Sequence, residues 1–263
     1  MARQNMYRKL PFQGGEPRLV SEVVNNCVEG KTNNTGEITL NASGATTTVI
    51  NDERIGFDSV ILMDPITENA ADNKQPHGAF SNTVAQSFAS TNTVYSVALN
   101  TTDDAYAMSL ASNKITVGHT GTYNLAYSLQ LANYSASTIG EVWVWLAVNG
   151  TDVPNTASIA SVPSTHGGIE GYTLMAANFY VELVKDDYVE LKVATNLTDV
   201  EIDYYAAQTT PFVRPSIPSS VVTLNMIAPL HNLYVNNYLK GAATIYHLPN
   251  YDTDRTFRYI VVG

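Results

Sequence analysis

From Gly121 to Leu131 the apolar residues fall on every second position: Tyr123, Leu125, Tyr127, Leu129 and Leu131. Period two marks a strand with one buried face, and an α-helix would scatter those side chains around its axis. Glu141–Val148 repeats the pattern, with Val142, Val144, Leu146 and Val148 on one side. Trp143 and Trp145 occupy the other side, so both faces of this strand are apolar. Asn149-Gly150, which follows at once, is the strongest short hairpin signal in the chain. Further strands are expected at 81–88, 92–99, 106–117, 172–183, 188–194, 200–206 and 219–228, with Lys185-Asp186-Asp187 as a second hairpin turn. So many strands, with turns about every 8–12 residues, predict an antiparallel jelly-roll β-sandwich.

Charge supports the same class. Long solvated helices need Glu, Lys and Arg on their outer faces, yet only 14% of the 263 residues are charged, against about 25% in ordinary soluble proteins. Thr, Asn, Ser, Ala and Tyr take their place. The 44% of hydrophobic residues supplies ample core, which excludes charge-driven disorder. A net charge of −10 argues against a protein that tracks nucleic-acid phosphates. The acidity is concentrated: residues 75–228 hold Lys114, Lys185, Lys192 and Arg214 against twelve Asp and Glu, a balance of −8.

Cys27 is the single cysteine, so neither a disulfide framework nor a thiolate zinc cluster is expected. No apolar run reaches the roughly 18 residues of a membrane span. Met1–Leu10 is basic but is not followed by the apolar stretch of a secretory signal.

One helix is expected near the start. Pro17 suits a first turn, and Val20, Val23, Val24, Cys27 and Val28 form one apolar stripe before Gly30 stops the run. About three valine-rich turns are marginal alone, so this stripe needs a surface to pack on. Cys27 on it reads as a small buried hydrophobe. After Gly30 the pattern alternates again, at 37–41, 45–50 and 59–65, and near the other end at 243–248 and 256–262. Neither set makes a stable sheet alone. The expected chain is therefore all-β: a short N-terminal helix with its arm (1–31), a small split β-module (32–74 plus 229–263), and the inserted jelly roll (75–228).

Two resemblances sit on these residues. Gly121-Thr-Tyr-Asn-Leu-Ala-Tyr-Ser, Val144-Trp-Leu-Ala-Val-Asn-Gly-Thr-Asp-Val and Leu183-Val-Lys-Asp-Asp-Tyr-Val-Glu-Leu-Lys-Val resemble the tumour-necrosis-factor/complement-globular-head jelly roll. Asp186 stands where that family usually has Gly, which leaves the type of that turn open. The flanks, including Thr46-Thr-Thr-Val-Ile-Asn-Asp-Glu-Arg-Ile-Gly and Thr253-Asp-Arg-Thr-Phe-Arg-Tyr-Ile-Val-Val-Gly, resemble small β-modules of tailed bacteriophages. Together they imply a phage virion protein, assembled in the host cytoplasm as a homotrimer. A tail fibre or head fibre adhering to the host surface is one reading; a capsid decoration or cement protein is the other. The implied partners are further copies of the chain, other virion proteins (capsid, tail or adaptor) and a bacterial surface glycan or protein.

The candidate residues follow from that frame. Arg3, Tyr7, Arg8, Leu10 and Phe12, with Val20 and Val24 on the helix, are expected to attach the arm to the virion. Tyr and Trp give large contact area at low entropic cost, so Trp143, Trp145, Tyr204 and Tyr205 are assigned to the trimer interface. The opposite placement, with the Val142 row at the interface and the tryptophans in the core, stays open. Asp103, Asp104, Tyr134, Thr165 and His166 are expected on host-binding loops.

The Pro-rich stretch 208–218 is either a loop touching a neighbour or a rigid extended crossover. Asp103-Asp104, Asp186-Asp187 and Asp199/Glu201/Asp203 offer oxygen ligands for calcium, or else form a solvated strand face and turn tips. His77, His119, His166, His231 and His247 lack ligand spacing and read as surface or turn residues. No cofactor, metal or catalytic constellation is expected: there is no P-loop, no G-x-S-x-G and no Cys–His pair.

Overall fold

The structure is a computed structural model describing residues 3–4, 9–29, 33–71, 75–228 and 233–263. The fold is all-β with a short N-terminal helix. Two compact units divide the chain: Met1–Asn73 with His231–Gly263, and Lys74–Leu230.

The first unit begins with β1 (Arg3–Gln4), α1 (Pro17–Val28), β2 (Thr35–Thr39), β3 (Ala45–Asn51), β4 (Val60–Pro65) and the short α2 (Glu68–Ala71). The second unit holds β5 (His77–Asn82), β6 (Tyr95–Ser96), β7 (Thr101–Tyr106), β8 (Met108–Ala111), β9 (Lys114–Val117) and β10 (Gly121–Asn133). It continues with β11 (Gly140–Val148), β12 (Thr151–Asp152), β13 (Ser158–Val162), β14 (Gly171–Leu183), β15 (Tyr188–Thr195), β16 (Val200–Ile202) and β17 (Ser220–Ala228). The first unit then resumes with β18 (Leu233–Leu239), β19 (Ala242–Asn250) and β20 (Thr256–Val262).

The second unit is a jelly-roll sandwich. One sheet runs β14-β10-β17-β5-β7, with β16 also on β10. The other runs β12-β11-β15-β9-β8, with β13 on β11 and β6 on β15. Between them lie Tyr123, Leu125 and Leu129 from β10 and Val142, Val144 and Leu146 from β11, all fully buried. Each such aliphatic side chain contributes about 1.5–3 kcal/mol. The Val142 row therefore belongs to the core, and Trp143 and Trp145 point outward, half-buried. Tyr123 is tolerated in the core because its hydroxyl donates to the His119 carbonyl at 2.6 Å.

Turn chemistry closes the hairpins. Asn149 and Gly150 both take positive φ (51° and 80°), as a type I′ turn requires. Asp186 takes the left-handed conformation of a glycine, φ 72°. Several expected strands shrink. Ordered pairing ends at Asn82, only Tyr95–Ser96 pairs within 92–99, and β16 stops at Ile202. Beyond these short ladders the contacts are isolated ones: Gln86 bridges to Ile202 of β16, and Asn92 N–H donates to the Thr195 carbonyl of β15 at 2.7 Å.

In the first unit the two halves interleave. β20 lies between β2 and β4, pairing Thr35 with Ile260 and Val60 with Val262. β19 lies between β18 and β3, pairing Ile50 with Ala243. Ile38, Ile50, Ile245, Phe257 and Tyr259 form its core. The buried Asp52 carboxylate accepts from the Tyr259 hydroxyl at 2.8 Å and from the Arg54 guanidinium. Burial pushes the Asp52 carboxyl up, but the hydrogen bonds from Arg54 and Tyr259 outweigh it and hold it below the usual range. Gly36 makes room for this ring: a Cβ there would lie 2.4 Å from Tyr259.

Three expectations fail here. Cys27 is exposed, and α1 buries none of its residues; Val28 is 82% exposed. No described residue covers that stripe well enough to dry it. His247 is a core residue, not a surface one, because its Nδ1 donates to the Leu248 carbonyl at 2.8 Å and Nε2 lies 3.0 Å from Thr48 Oγ1. Burial lowers its pKa. The expected attachment residues Tyr7 and Arg8, the stop at Gly30, and His231 lie outside the described residues.

Candidate recognition surface

The register of the jelly roll sorts its loops into two ends. β5 starts beside the end of β17, with His77 opposite Asn225, so both chain connections of this unit leave by one end. The opposite end gathers the segments 83–94, 134–139, 163–170, 196–199 and 203–219.

Asn133, fully buried at the end of β10, organises these loops. Its amide donates to the carbonyls of Thr138 (2.9 Å) and Val162 (3.0 Å), and its side-chain oxygen accepts from Ser135 N–H (2.9 Å). Tyr134 N–H donates to the Asp199 carbonyl at 2.9 Å, and Thr165 N–H to the Ser135 carbonyl at 2.8 Å. His166 and Ile169 exchange backbone hydrogen bonds around Gly167-Gly168, both at positive φ (61° and 80°). That is again a two-residue turn of the primed kind. The Gly-Gly pair was a readable signal for it.

Phenols and carboxylates concentrate at this end. The Tyr134 hydroxyl donates to Asp203 Oδ2 at 2.5 Å, and Tyr204 N–H donates to Oδ1 at 3.0 Å. The Tyr172 hydroxyl donates to Glu170 at 2.7 Å, and the Tyr172 ring meets Tyr205 edge-on at 6.0 Å. Burial, reinforced by Asp203, pushes the Tyr134 and Tyr205 phenols up, so both stay protonated. Burial and Asp203 likewise raise the Glu201 carboxyl. The hydroxyl hydrogen bonds hold the Tyr134 and Tyr172 rings in place.

The Pro-rich stretch is not an extended crossover. It folds back on itself, pairing Tyr205 with Ile217 and Gln208 with Arg214. Arg214 Nη1 donates to the carbonyls of Ala206 and Pro215, each at 3.0 Å. Phe212 and Val213 stand at its turn, 62% and 81% exposed.

The expected site residues divide accordingly. Tyr134, Thr165 and His166 come together at the loop end, and so do Tyr204 and Tyr205, which had been grouped with the tryptophans. Trp143 and Trp145 lie apart, on the outer face of the other sheet. Trp145 Nε1 donates to Asp152 at 2.8 Å, and Trp143 sits between Ile159 and Ala194. Asp103 and Asp104 are not on a loop: they lie in β7, an edge strand, with His77 Nε2 3.3 Å from Asp104. An acidic pair can occupy an edge strand because one side of it faces water.

The alternation of Asp199, Glu201 and Asp203 does not form one solvated face either, since the strand ends at Ile202 and Asp203 is buried under the Tyr134 hydroxyl. Sequence reasoning missed Glu170, Tyr172 and the Phe212-Val213 turn. On the other unit, Leu10 is half-buried, Phe12 is fully exposed, Val20 is half-buried and Val24 is 51% exposed. Arg3 pairs through its backbone with Glu37.

Among the described residues no three His, Cys, Asp or Glu side chains gather to hold a metal ion, and no helix is long and apolar enough to cross a membrane. Comparison with protein-family models and with curated proteins found no match.

Proposed function

We propose that this chain is a structural component of a tailed-bacteriophage virion, a trimeric tail or head fibre that presents its jelly roll to the host surface. The observation that supports presentation is the polarity of the jelly roll. Both connections leave by one end, while hydrogen-bonded loops carrying Tyr134, Tyr205 and Phe212, with Tyr172 at the start of β14, occupy the other. A recognition surface built this way binds by contact and needs no covalent chemistry. The phage assignment itself rests on the resemblance of the flanking segments.

The exposed valines of α1 favour a second reading, a decoration or cement protein that binds the capsid and no receptor. An antibody fragment directed at residues 163–170 separates the two. Adhesion predicts lost infectivity with unchanged thermal stability of the particle. Cement predicts unchanged infectivity with that fragment bound, and a shell that falls apart more readily when the chain is absent.

A further inference from the structure

In the first unit, the inward alternation of β20 carries past its start. Phe257, Tyr259 and Val261 face the core, and Arg255 falls on the same side. Leu40 N–H donates to the Arg255 carbonyl at 2.9 Å, so pairing beyond β2 still reaches this residue. Arg255 is 5% exposed, and its Nε is enclosed without a hydrogen-bond partner.

The backbone holds it there from both sides. The fully buried Asn250 amide donates to the carbonyls of Asn41 (3.1 Å) and Asp252 (2.9 Å). Thr67 Oγ1 donates to the Asp254 carbonyl at 2.6 Å and accepts from Thr256 N–H at 3.0 Å.

A guanidinium keeps its charge at any ordinary pH. Burying that charge without an opposite one is strongly destabilising. Among the described residues no carboxylate lies within ion-pair distance of Arg255. Asp52 is held by Arg54 and Tyr259, Glu37 by Arg258, and Asp254 by Asn69. The neighbouring His247 offers no negative charge; burial, with the Arg255 charge adding to it, holds its pKa down. A water bonded to Nε would leave the charge unopposed.

We infer that Arg255 is the binding site of a small oxyanion, a carboxylate or a phosphate. Nε and one Nη present parallel N–H groups along one edge of the guanidinium, and two oxygens of such an ion accept them. A residue this enclosed admits a free ion more readily than a side chain of another protein. The inference does not depend on the virion assignment.

The test is calorimetric unfolding of the full chain near neutral pH, with chloride replaced by millimolar acetate or phosphate at constant ionic strength. Wild type is expected to gain about 4 °C or more, rising with the logarithm of the anion concentration. Whether acetate, phosphate or both produce the gain identifies the ion. Arg255→Met should melt no lower than wild type in chloride, because an unopposed charge has gone, and should not respond to either anion. Arg255→Lys keeps the charge but loses the fork, so it should bind about tenfold or more weakly.

A wild type that responds to neither anion overturns the inference. So does an equal response in all three proteins, which is a general salt effect on stability. An Arg255→Met variant that melts far below wild type in chloride, or does not fold, also overturns it, because the guanidinium is then already paired within the protein. An Arg255→Lys variant that responds as wild type does counts against it as well.

Discussion

Asp203 shows how a single position escapes strand logic. Period two places it beside Asp199 and Glu201 in water, but the strand ends one residue earlier and its carboxylate accepts from Tyr134 and from the Tyr204 backbone. A tyrosine 69 residues away supplies the reason, and no local pattern announces it. His247 escaped in the same way, because its partners are a threonine on β3 and a backbone carbonyl. The tryptophan and valine rows were a different case. The alternation was legible, and only the second sheet could say which row faced inward.

Two predictions belong to this scale. His247 is buried with a lowered pKa, so the unfolded chain takes up its proton first. Stability should therefore fall as pH drops from about 7 to about 5, below the ordinary histidine value. Thermal unfolding followed across that range should show the loss, and His247→Gln should flatten it; equal slopes would count against a neutral buried imidazole. At Gly171 a Cβ would lie 1.7 Å from the Pro163 carbonyl oxygen. Backbone cannot yield as a side chain does, so Gly171→Ala should cost about 2 kcal/mol or more in urea unfolding.

At the level of elements, the strands with a buried face were readable, as were the hairpins that need special turn residues. Asn149-Gly150 behaves as its composition demands. Gly150→Ala should cost about 1 kcal/mol in denaturant unfolding, because φ 80° strains any Cβ. The elements that misled were those whose hydrogen bonds go outside a ladder: 83–94, held partly by the Gln86–Ile202 bridge, and 205–217, folded on itself. β18 was missed because Asn236-Asn237 interrupts its apolar pattern, and the register shifts there.

Helix α1 was legible as a helix, but its packing was not. Val24 and Val28 remain exposed, so they add little to the stability of the isolated chain. Val24→Asp should change unfolding by less than about 0.5 kcal/mol. If the helix serves attachment, the same variant should fail to enter particles when produced during infection; normal incorporation would remove α1 from that role.

On the scale of the whole molecule, the distribution of charge was informative. Low charge pointed to β-structure, and the concentration of acid in residues 75–228 marked a segment of its own kind. The interleaving of β2 with β20 and of β3 with β19 explains why neither flank reads as a sheet alone.

The most direct test is an electron-microscopy reconstruction of the intact particle. The proposed function predicts three copies around one axis, with α1 against the virion body and the loops 134–139 and 163–170 pointing away from it. A chain missing from the particle, or one whose loop end faces the shell, would contradict it.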